Sequence, residues 1–248
     1  MSHFHAFLWL TLLFGSCWLP VGSVQAQVAP AREQGVVFVA EPAGDFRLVV
    51  QNMERIVARS GLPLRVVAVN WATGDIPYDI RDRDNHQRAG RALAQRVLAY
   101  HKACPGRKVF LVGHSGGAAV VLAATHSLPA NAVERIVLLA PGVSSHHDLR
   151  CALSVSRCGI DHFYSRDDEL LRACIDLFGT NDGRGTRAAG EVGFVPIVAS
   201  KADAALYRKL RQHPWCEAYG AVGNHGGHFG VARLTFVSKV VMPLLTAP

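Results

Sequence analysis

Charged residues are scarce in this sequence, and the basic ones form no dense block. Only 18% of the 248 residues are charged, and the formal net charge is +7. A nucleic-acid site usually gathers lysine and arginine on one stretch or face, whereas here they are spread along the chain. We therefore interpret the positive charge as a solvated surface and expect no nucleic-acid partner.

Long apolar runs are missing as well, apart from a short one near the N-terminus. A membrane-spanning helix takes about 20 apolar residues, and the run at residues 7–14 is much shorter. The segment 24–26 (VQA) then has small residues at the positions required for cleavage, which is the pattern of a secretory signal peptide cleaved near Ala26. The sequence therefore predicts export to the periplasm or medium and no stable membrane insertion. The predicted parts are a signal peptide over 1–26, a linker over 27–34 and a domain over 35–248.

Motifs for metals and nucleotides are also absent. No cysteine or histidine has the spacing typical of zinc, and the glycine-rich segment 179–185 lacks the GxxxxGK[ST] spacing of a phosphate loop. Asp79, Asp82 and Asp84 are spaced like calcium ligands, but an acidic loop that caps the following helix is the simpler interpretation. We expect no metal and no cofactor.

The chain has few cysteines, and their number is odd once the signal peptide is removed. Six are present, of which Cys17 lies in the predicted signal peptide, so at least one of the remaining five stays free or pairs between chains. Cys151 and Cys158 flank a short connection, and an exported protein meets an oxidising compartment. We predict a disulfide between these two.

Apolar runs of strand length alternate with helical patterns along the chain. The predicted strands are at 36–40, 64–69, 109–112, 133–139 and 160–164, with weaker ones at 193–198 and 215–222. The predicted helices are at 48–57, 86–103, 118–124, 143–156, 202–211 and 231–245. Continuous apolar strands between helices indicate an α/β protein with a mostly parallel central sheet and helices on both faces.

The most informative motif is Gly113-His114-Ser115-Gly116-Gly117, which lies between an apolar strand and an alanine-rich helix. Strand, sharp turn and helix form the context in which Gly-x-Ser-x-Gly presents a serine as a nucleophile. The turn is tight, so the flanking residues must be small and the serine is held in a strained conformation. Ser115 is the candidate nucleophile, and the N–H of Gly116 is a candidate donor to an oxyanion.

A nucleophilic serine needs a base and an acid, which follow it in the order acid, then histidine. Asp167 and Asp168 come just after the predicted strand 160–164, and we favour Asp168; either could instead cap the next helix. Late in the chain, His225 and His228 lie in a glycine-rich segment, and we favour His228 because Gly226-Gly227 let the chain fold back.

A second oxyanion donor is expected from the loop after the first strand. Pro42 has no N–H, so the N–H of Ala43 is the natural candidate.

Taken with residues 165–168 and 226–229, the Ser115 motif resembles the α/β-hydrolase fold over residues 36–246. The chain also resembles uncharacterised bacterial hydrolase-like proteins with a Gly-Gly-His segment near the end, which supports His228 over His225. The turn at 41–44 departs from the His-Gly pair common in the family. The chain also has no long insertion after residue 140, so we expect no large lid.

This resemblance implies a serine hydrolase that cleaves an ester or related acyl bond through an acyl-enzyme. Its substrate is expected to be a small-molecule or lipid-like acyl compound. Three alternatives remain open: an amidase or peptidase, an acyltransferase on the same triad, and a non-catalytic binding module that keeps the fold.

Overall fold

The computed structural model describes residues 33–185 and 187–246, so the predicted signal peptide at 1–26 lies outside the described residues. Six strands form one sheet: β1 (Gly35–Ala40), β2 (Leu64–Ala68), β3 (Lys108–His114), β4 (Arg135–Leu139), β5 (Ile160–Tyr164) and β6 (Leu210–Pro214). Eight helices connect or flank them: α1 (Leu48–Ser60), α2 (Ile76–Arg81), α3 (Arg83–Ala103), α4 (Gly117–Thr125), α5 (Arg150–Val155), α6 (Glu169–Phe178), α7 (Ala189–Val192) and α8 (Lys201–Tyr207).

The C-terminal part contains short helical pieces. Two 3₁₀ helices, Glu217–Val222 and Gly230–Ala232, precede α9 (Leu234–Phe236), a π-helical turn (Val237–Val241) and α10 (Met242–Thr246). None of the helices within the described ranges is long and apolar enough to cross a membrane.

The sheet is open and parallel, with the strand order β2-β1-β3-β4-β5-β6. The chain runs from β1 outward to β2, then returns to place β3 on the other side of β1. This reversal makes a topological switch point between β1 and β3, and ligands of open α/β sheets bind outside the carboxyl ends of the strands at such a point. The loops after β1 and β3 therefore meet where a site is expected.

Alternate residues of β1 enter two separate cores, because successive side chains of a strand point to opposite faces. Val36 and Phe38 pack with buried residues of α3 and α4, while Val37 and Val39 pack with α1 and the C-terminal helices. Both faces of the sheet are thus covered, which explains why the central strands read as continuous apolar runs. The mostly parallel sheet with helices on both faces is confirmed, and no large lid is evident among the described residues.

Several predicted elements near the C-terminus are wrong. Residues 193–198 form no strand; Phe194 instead bonds through its N–H and carbonyl to the side-chain amide of Gln212, and Pro196 has no N–H for a ladder. The last strand is β6, which precedes the predicted strand 215–222. The sequence LRQHP of β6 is polar because the strand lies at the sheet edge.

Other predicted helices are shorter than expected. The predicted helix 143–156 is reduced to α5, and 202–211 is reduced to α8 because residues 210 and 211 enter β6. The predicted last helix, 231–245, is interrupted by its π-helical turn.

The predicted disulfide between Cys151 and Cys158 is also wrong. All five cysteines among the described residues are free thiols. The Cys151 thiol donates to the carbonyl of Thr125 at 3.3 Å, and the Cys158 thiol donates to the Glu134 carboxylate at 3.2 Å. Cys151 lies in the first turn of α5, whereas Cys158 follows the helix and precedes β5, so the two thiols have separate partners.

Candidate active site

The serine of the Gly-x-Ser-x-Gly motif lies in a strained turn between β3 and α4. Ser115 has φ of 53°, in the left-handed region that non-glycine residues rarely adopt. A Cβ at Gly113 would lie 2.7 Å from the Ala118 Cα, and one at Gly117 would lie 2.1 Å from the Ala40 carbonyl oxygen. Both positions therefore require glycine, since the turn packs directly against the following helix and the end of β1.

The backbone of Ser115 is fixed from the neighbouring strand. Its N–H donates to the carbonyl of Leu139 at 2.9 Å, and its carbonyl accepts from the N–H of Gly142 at 3.1 Å. Such surroundings can hold a strained residue in place, because they determine its conformation through several independent contacts.

His228 and Asp168 form a buried pair near this turn. His228 Nδ1 lies 2.7 Å from Asp168 Oδ2, and the two residues are 8% and 1% exposed. Asp168 also caps α6, since its Oδ1 accepts the N–H of Leu171 at 2.9 Å. The two interpretations of Asp168 in the sequence are thus compatible: one oxygen caps the helix and the other holds the imidazole.

The alternative acid and base lie elsewhere. Asp167 is exposed, and its N–H donates to the Ser165 hydroxyl. His225 is exposed as well, with its ring beside Gly220. Of the four candidates, only Asp168 and His228 contact each other within the described part of the chain.

His114 links the serine turn to the loop that carries His228. This buried histidine lies 3.2 Å through Nε2 from the carbonyl oxygen of His228, and the two rings are 5.2 Å apart. Burial, followed by the proximity of His228, lowers the pKa of His114 to about 3. His114 is therefore neutral, and its Nε2–H donates because a carbonyl oxygen can only accept.

No hydrogen bond joins the Ser115 hydroxyl to His228 among the described residues. The hydrogen bond between Asp168 and His228 is thus formed, whereas the one between His228 and the Ser115 hydroxyl is not. Catalytic hydrogen bonds are often long without substrate and tighten when it binds.

The loop after β1 is held by a tryptophan and a buried aspartate. Trp71 donates from Nε1 to the Glu41 carbonyl at 2.8 Å, and its ring lies 3.1 Å from the place of a Cβ on Gly116. The Gly44 N–H donates to Asp79 at 3.0 Å, and Ala43 between them is buried. Trp71 therefore connects the segments of both predicted oxyanion donors.

Asp79 also accepts the N–H of Thr73, the hydroxyl of Thr73 and the N–H of Gly74. Asp82 caps α3 by accepting the N–H of Asn85. These bonds favour the helix-capping and loop-holding interpretation over a calcium site. No group of three histidine, cysteine or acidic residues in the described ranges is arranged to hold a metal ion.

Glu41 is a buried acidic residue in the loop after β1 that no sequence motif indicates. Its carboxyl is 1% exposed; Oε1 accepts the N–H of Val50 at 2.7 Å near the start of α1, while Oε2 has no partner among the described residues. Burial raises the pKa of Glu41 to about 7, and the nearby Asp45 adds to the rise while the N–H bond of Val50 opposes it. The signal available in the sequence was an isolated acidic residue directly after an apolar strand.

Comparison with known proteins agrees with this architecture. The sequence profile of the Cutinase family matches residues 31–148, just under half of the chain. No curated protein sequence is significantly similar.

Among solved structures, a protein from Xanthomonas campestris pv. campestris assigned to the alpha/beta hydrolase superfamily is 15% identical, with 86% of this chain and 99% of that chain covered at a TM-score of 0.52. A lidless α/β serine hydrolase from Xanthomonas campestris is 16% identical, with 85% and 80% covered and a TM-score of 0.47. A cutinase-like protein from Cryptococcus sp. is 15% identical, with 84% and 94% covered and a TM-score of 0.44. The chain has the α/β-hydrolase fold.

Proposed function

We propose that this chain is an exported serine hydrolase that cleaves an ester or related acyl bond with Ser115, His228 and Asp168. The observation that carries the proposal is the buried Asp168–His228 pair, at 2.7 Å, beside a serine with φ of 53°. Strain at a serine in this turn and burial of an acid–histidine pair both cost stability, and catalysis explains why they occur together. The family match over residues 31–148 supports a hydrolase of the esterase type.

The proposed reaction begins with proton transfer from Ser115 to His228. Because Nδ1 of His228 faces Asp168, Nε2 is the nitrogen left to accept the serine proton. Ser115 Oγ then attacks the carbonyl carbon of the substrate, and the carbonyl oxygen becomes an oxyanion. The imidazolium on His228 is stabilised by the Asp168 carboxylate.

The oxyanion would be bound by the N–H groups of Gly116 and Ala43. Gly116 is the cap of α4, where N–H groups and the helix dipole favour negative charge. When the intermediate collapses, the alcohol leaves with the proton from His228 and an acyl-enzyme remains on Ser115. Water, activated by the same histidine, then releases the acid, so each step uses only side chains, backbone and water.

Apolar side chains near the site favour an apolar acyl group. Phe229 follows the base, and its ring is 5.3 Å from that of His228. Phe46, which is 47% exposed, packs edge-on against Phe229 at 5.5 Å, and exposed Ile76 lies close to both Phe46 and Gly44. A small or lipid-like acyl chain could lie on this surface with its carbonyl at Ser115.

An amidase, a peptidase and an acyltransferase would use the same triad and differ in leaving group or acceptor, whereas a binding module would not turn over. A panel of 4-nitrophenyl esters of graded chain length distinguishes the last from the others. We expect release of nitrophenol that is abolished in Ser115→Ala and retained in the control Ser127→Ala, an exposed serine just beyond α4. Equal rates in wild type and Ser115→Ala would overturn the proposal.

A further inference from the structure

A cavity of about 350 Å³ lies beside the candidate active site. It is bounded by the start of α3, one face of α4, the segment 143–148 after β4, and the loop 181–184 after α6. Its volume is in the range of small-molecule sites. Ala119 and Ala123 of α4 line it, and their short side chains leave it open.

The acidic groups at this cavity already have hydrogen-bond or ion-pair partners. Asp148 forms a two-pronged ion pair with Arg150, the shortest contact being 2.6 Å. Asp182 lies 2.7 Å from His147 Nδ1 and also accepts the N–H of Ser144. Although burial alone would raise the pKa of Asp182, these hydrogen bonds hold it below its ordinary value, so Asp182 is ionised and paired.

Two arginines at the cavity have no acidic partner among the described residues. Arg83 and Arg184, both exposed, line the cavity, and neither side chain makes an ion pair or hydrogen bond with the described residues. With Asp148 paired to Arg150, two arginines stand against one remaining carboxylate, Asp182, so the cavity carries a net positive charge.

The absence of a side chain at Gly183 leaves room for the Arg83 guanidinium. A Cβ on Gly183 would lie 1.9 Å from an Arg83 nitrogen, so the guanidinium lies against the bare backbone of the loop. Gly183 also has φ of 62°, which disfavours a larger residue. Loop 181–184 and α3 thus bring Arg83 and Arg184 to the same cavity.

We propose that this cavity binds a small oxyanion, a carboxylate or a phosphate, through Arg83 and Arg184. A guanidinium presents several N–H donors in a fixed plane that matches the paired oxygens of these anions. Asn181 separates the cavity from the serine turn, with its amide nitrogen 3.5 Å from the place of a Cβ on Gly116. The anion site is adjacent to Ser115 but does not include it, so its existence is independent of hydrolysis.

The test is calorimetric titration of the purified protein with sodium phosphate and, separately, with sodium succinate. Sodium chloride at matched ionic strength controls for screening. We expect saturable binding of at least one anion, and the tighter of the two identifies the ligand class. The double variant Arg83→Gln with Arg184→Gln should bind at least tenfold more weakly, which is the loss expected for removing charge-assisted hydrogen bonds.

The control variant is Arg88→Gln, which removes an exposed arginine of the same helix that is paired with Asp82; it should bind as wild type. Ser115→Ala should also bind normally, because the site does not use the serine. If the double variant fails to fold, each single variant is measured in its place. No binding beyond chloride, or equal binding by the folded arginine variants, would overturn the proposal.

Discussion

Two aspartate–histidine pairs associated with β5 have nearly the same geometry and different surroundings. Asp168, just after the strand, lies 2.7 Å from His228, and Asp161, within the strand, lies 2.9 Å from His213 on the neighbouring β6. Both aspartates are almost fully buried. The distance between acid and histidine alone therefore does not identify a catalytic pair.

The difference lies in the other partners of each carboxylate. Oδ2 of Asp161 accepts from Arg135 at 2.6 Å and from Arg211 at 2.8 Å, and Oδ1 accepts from Arg211 Nε at 2.9 Å. Asp168 has no arginine or lysine partner among the described residues, and its second oxygen caps α6. The charge of Asp161 is thus neutralised by fixed cations, whereas Asp168 has none among the described residues and, in the proposed mechanism, stabilises the imidazolium of His228.

The largest expected effect comes from replacing Ser115 or His228 of the proposed triad. His228→Ala and Ser115→Ala should each lower kcat on a 4-nitrophenyl ester by on the order of 10⁴-fold or more, because members of a triad act as a unit. His213→Ala is the matched control and should retain activity close to wild type. A comparable loss in His213→Ala, or full activity in His228→Ala, would break the distinction between the two pairs.

Asp161→Asn should affect stability and leave kcat nearly unchanged. Removing one partner from a buried ion-pair cluster typically costs about 3 kcal/mol, here because Arg135, Arg211 and His213 lose their anion. Urea unfolding monitored by circular dichroism measures the free energy of unfolding. An unchanged midpoint would mean that the cluster contributes nothing to the fold.

The pH dependence of the unfolding free energy of Asp161→Asn gives a second check of the role of this ion-pair cluster. Although burial alone would raise the pKa of Asp161, hydrogen bonds from His213, Arg211 and Arg135 hold it well below its ordinary range. A carboxyl with a depressed folded pKa stabilises the protein above its unfolded pKa of about 4 and loses that contribution as pH falls. The stability difference between wild type and Asp161→Asn should shrink below about pH 4.

Glu41 extends the comparison to a buried carboxyl that has no hydrogen-bonded arginine or lysine in the described part of the chain. Its pKa is raised to about 7, so the folded protein keeps a proton that the unfolded chain releases near pH 4.5. This group therefore destabilises the fold progressively between about pH 4.5 and 7, by on the order of 3 kcal/mol above that range.

Glu41→Gln removes the ionisation while keeping an oxygen for the Val50 N–H. The variant should gain stability relative to wild type as pH rises from 5 to 8, as measured by urea unfolding at each pH. A stability difference that stays constant over this range would contradict the assignment of the raised pKa to Glu41.

The smallest expected effect is that of His225→Ala. This residue is exposed and lies beside Gly220, so its loss should reduce kcat/KM by about tenfold or less, equivalent to no more than about 1.4 kcal/mol in the barrier. Steady-state kinetics on the ester used for His228→Ala make the comparison direct. A loss as large as that of His228→Ala would make His225 the preferred base.

Local sequence predicts those features of the candidate site that depend on local structure, and its catalytic role stays a proposal. The turn at Ser115 follows from small residues between an apolar strand and a helix, and Asp168 and His228 were chosen for their positions near element ends. The roles of Trp71 and Asp79 could not be predicted, because they act through contacts with residues 30 and 35 positions away. Strand β6 could not be predicted, because its sequence LRQHP is polar and lacks the apolar run that indicates a buried strand.

The central claim, that Ser115 is a nucleophile activated by His228, is tested most directly by covalent labelling. The protein is treated with a fluorophosphonate probe, digested and analysed by mass spectrometry. We expect a single adduct on the peptide containing Ser115, formed at similar rates in wild type and His213→Ala and nearly abolished in His228→Ala. An unlabelled Ser115 in the folded wild-type protein, or equal labelling in His228→Ala, would contradict this account.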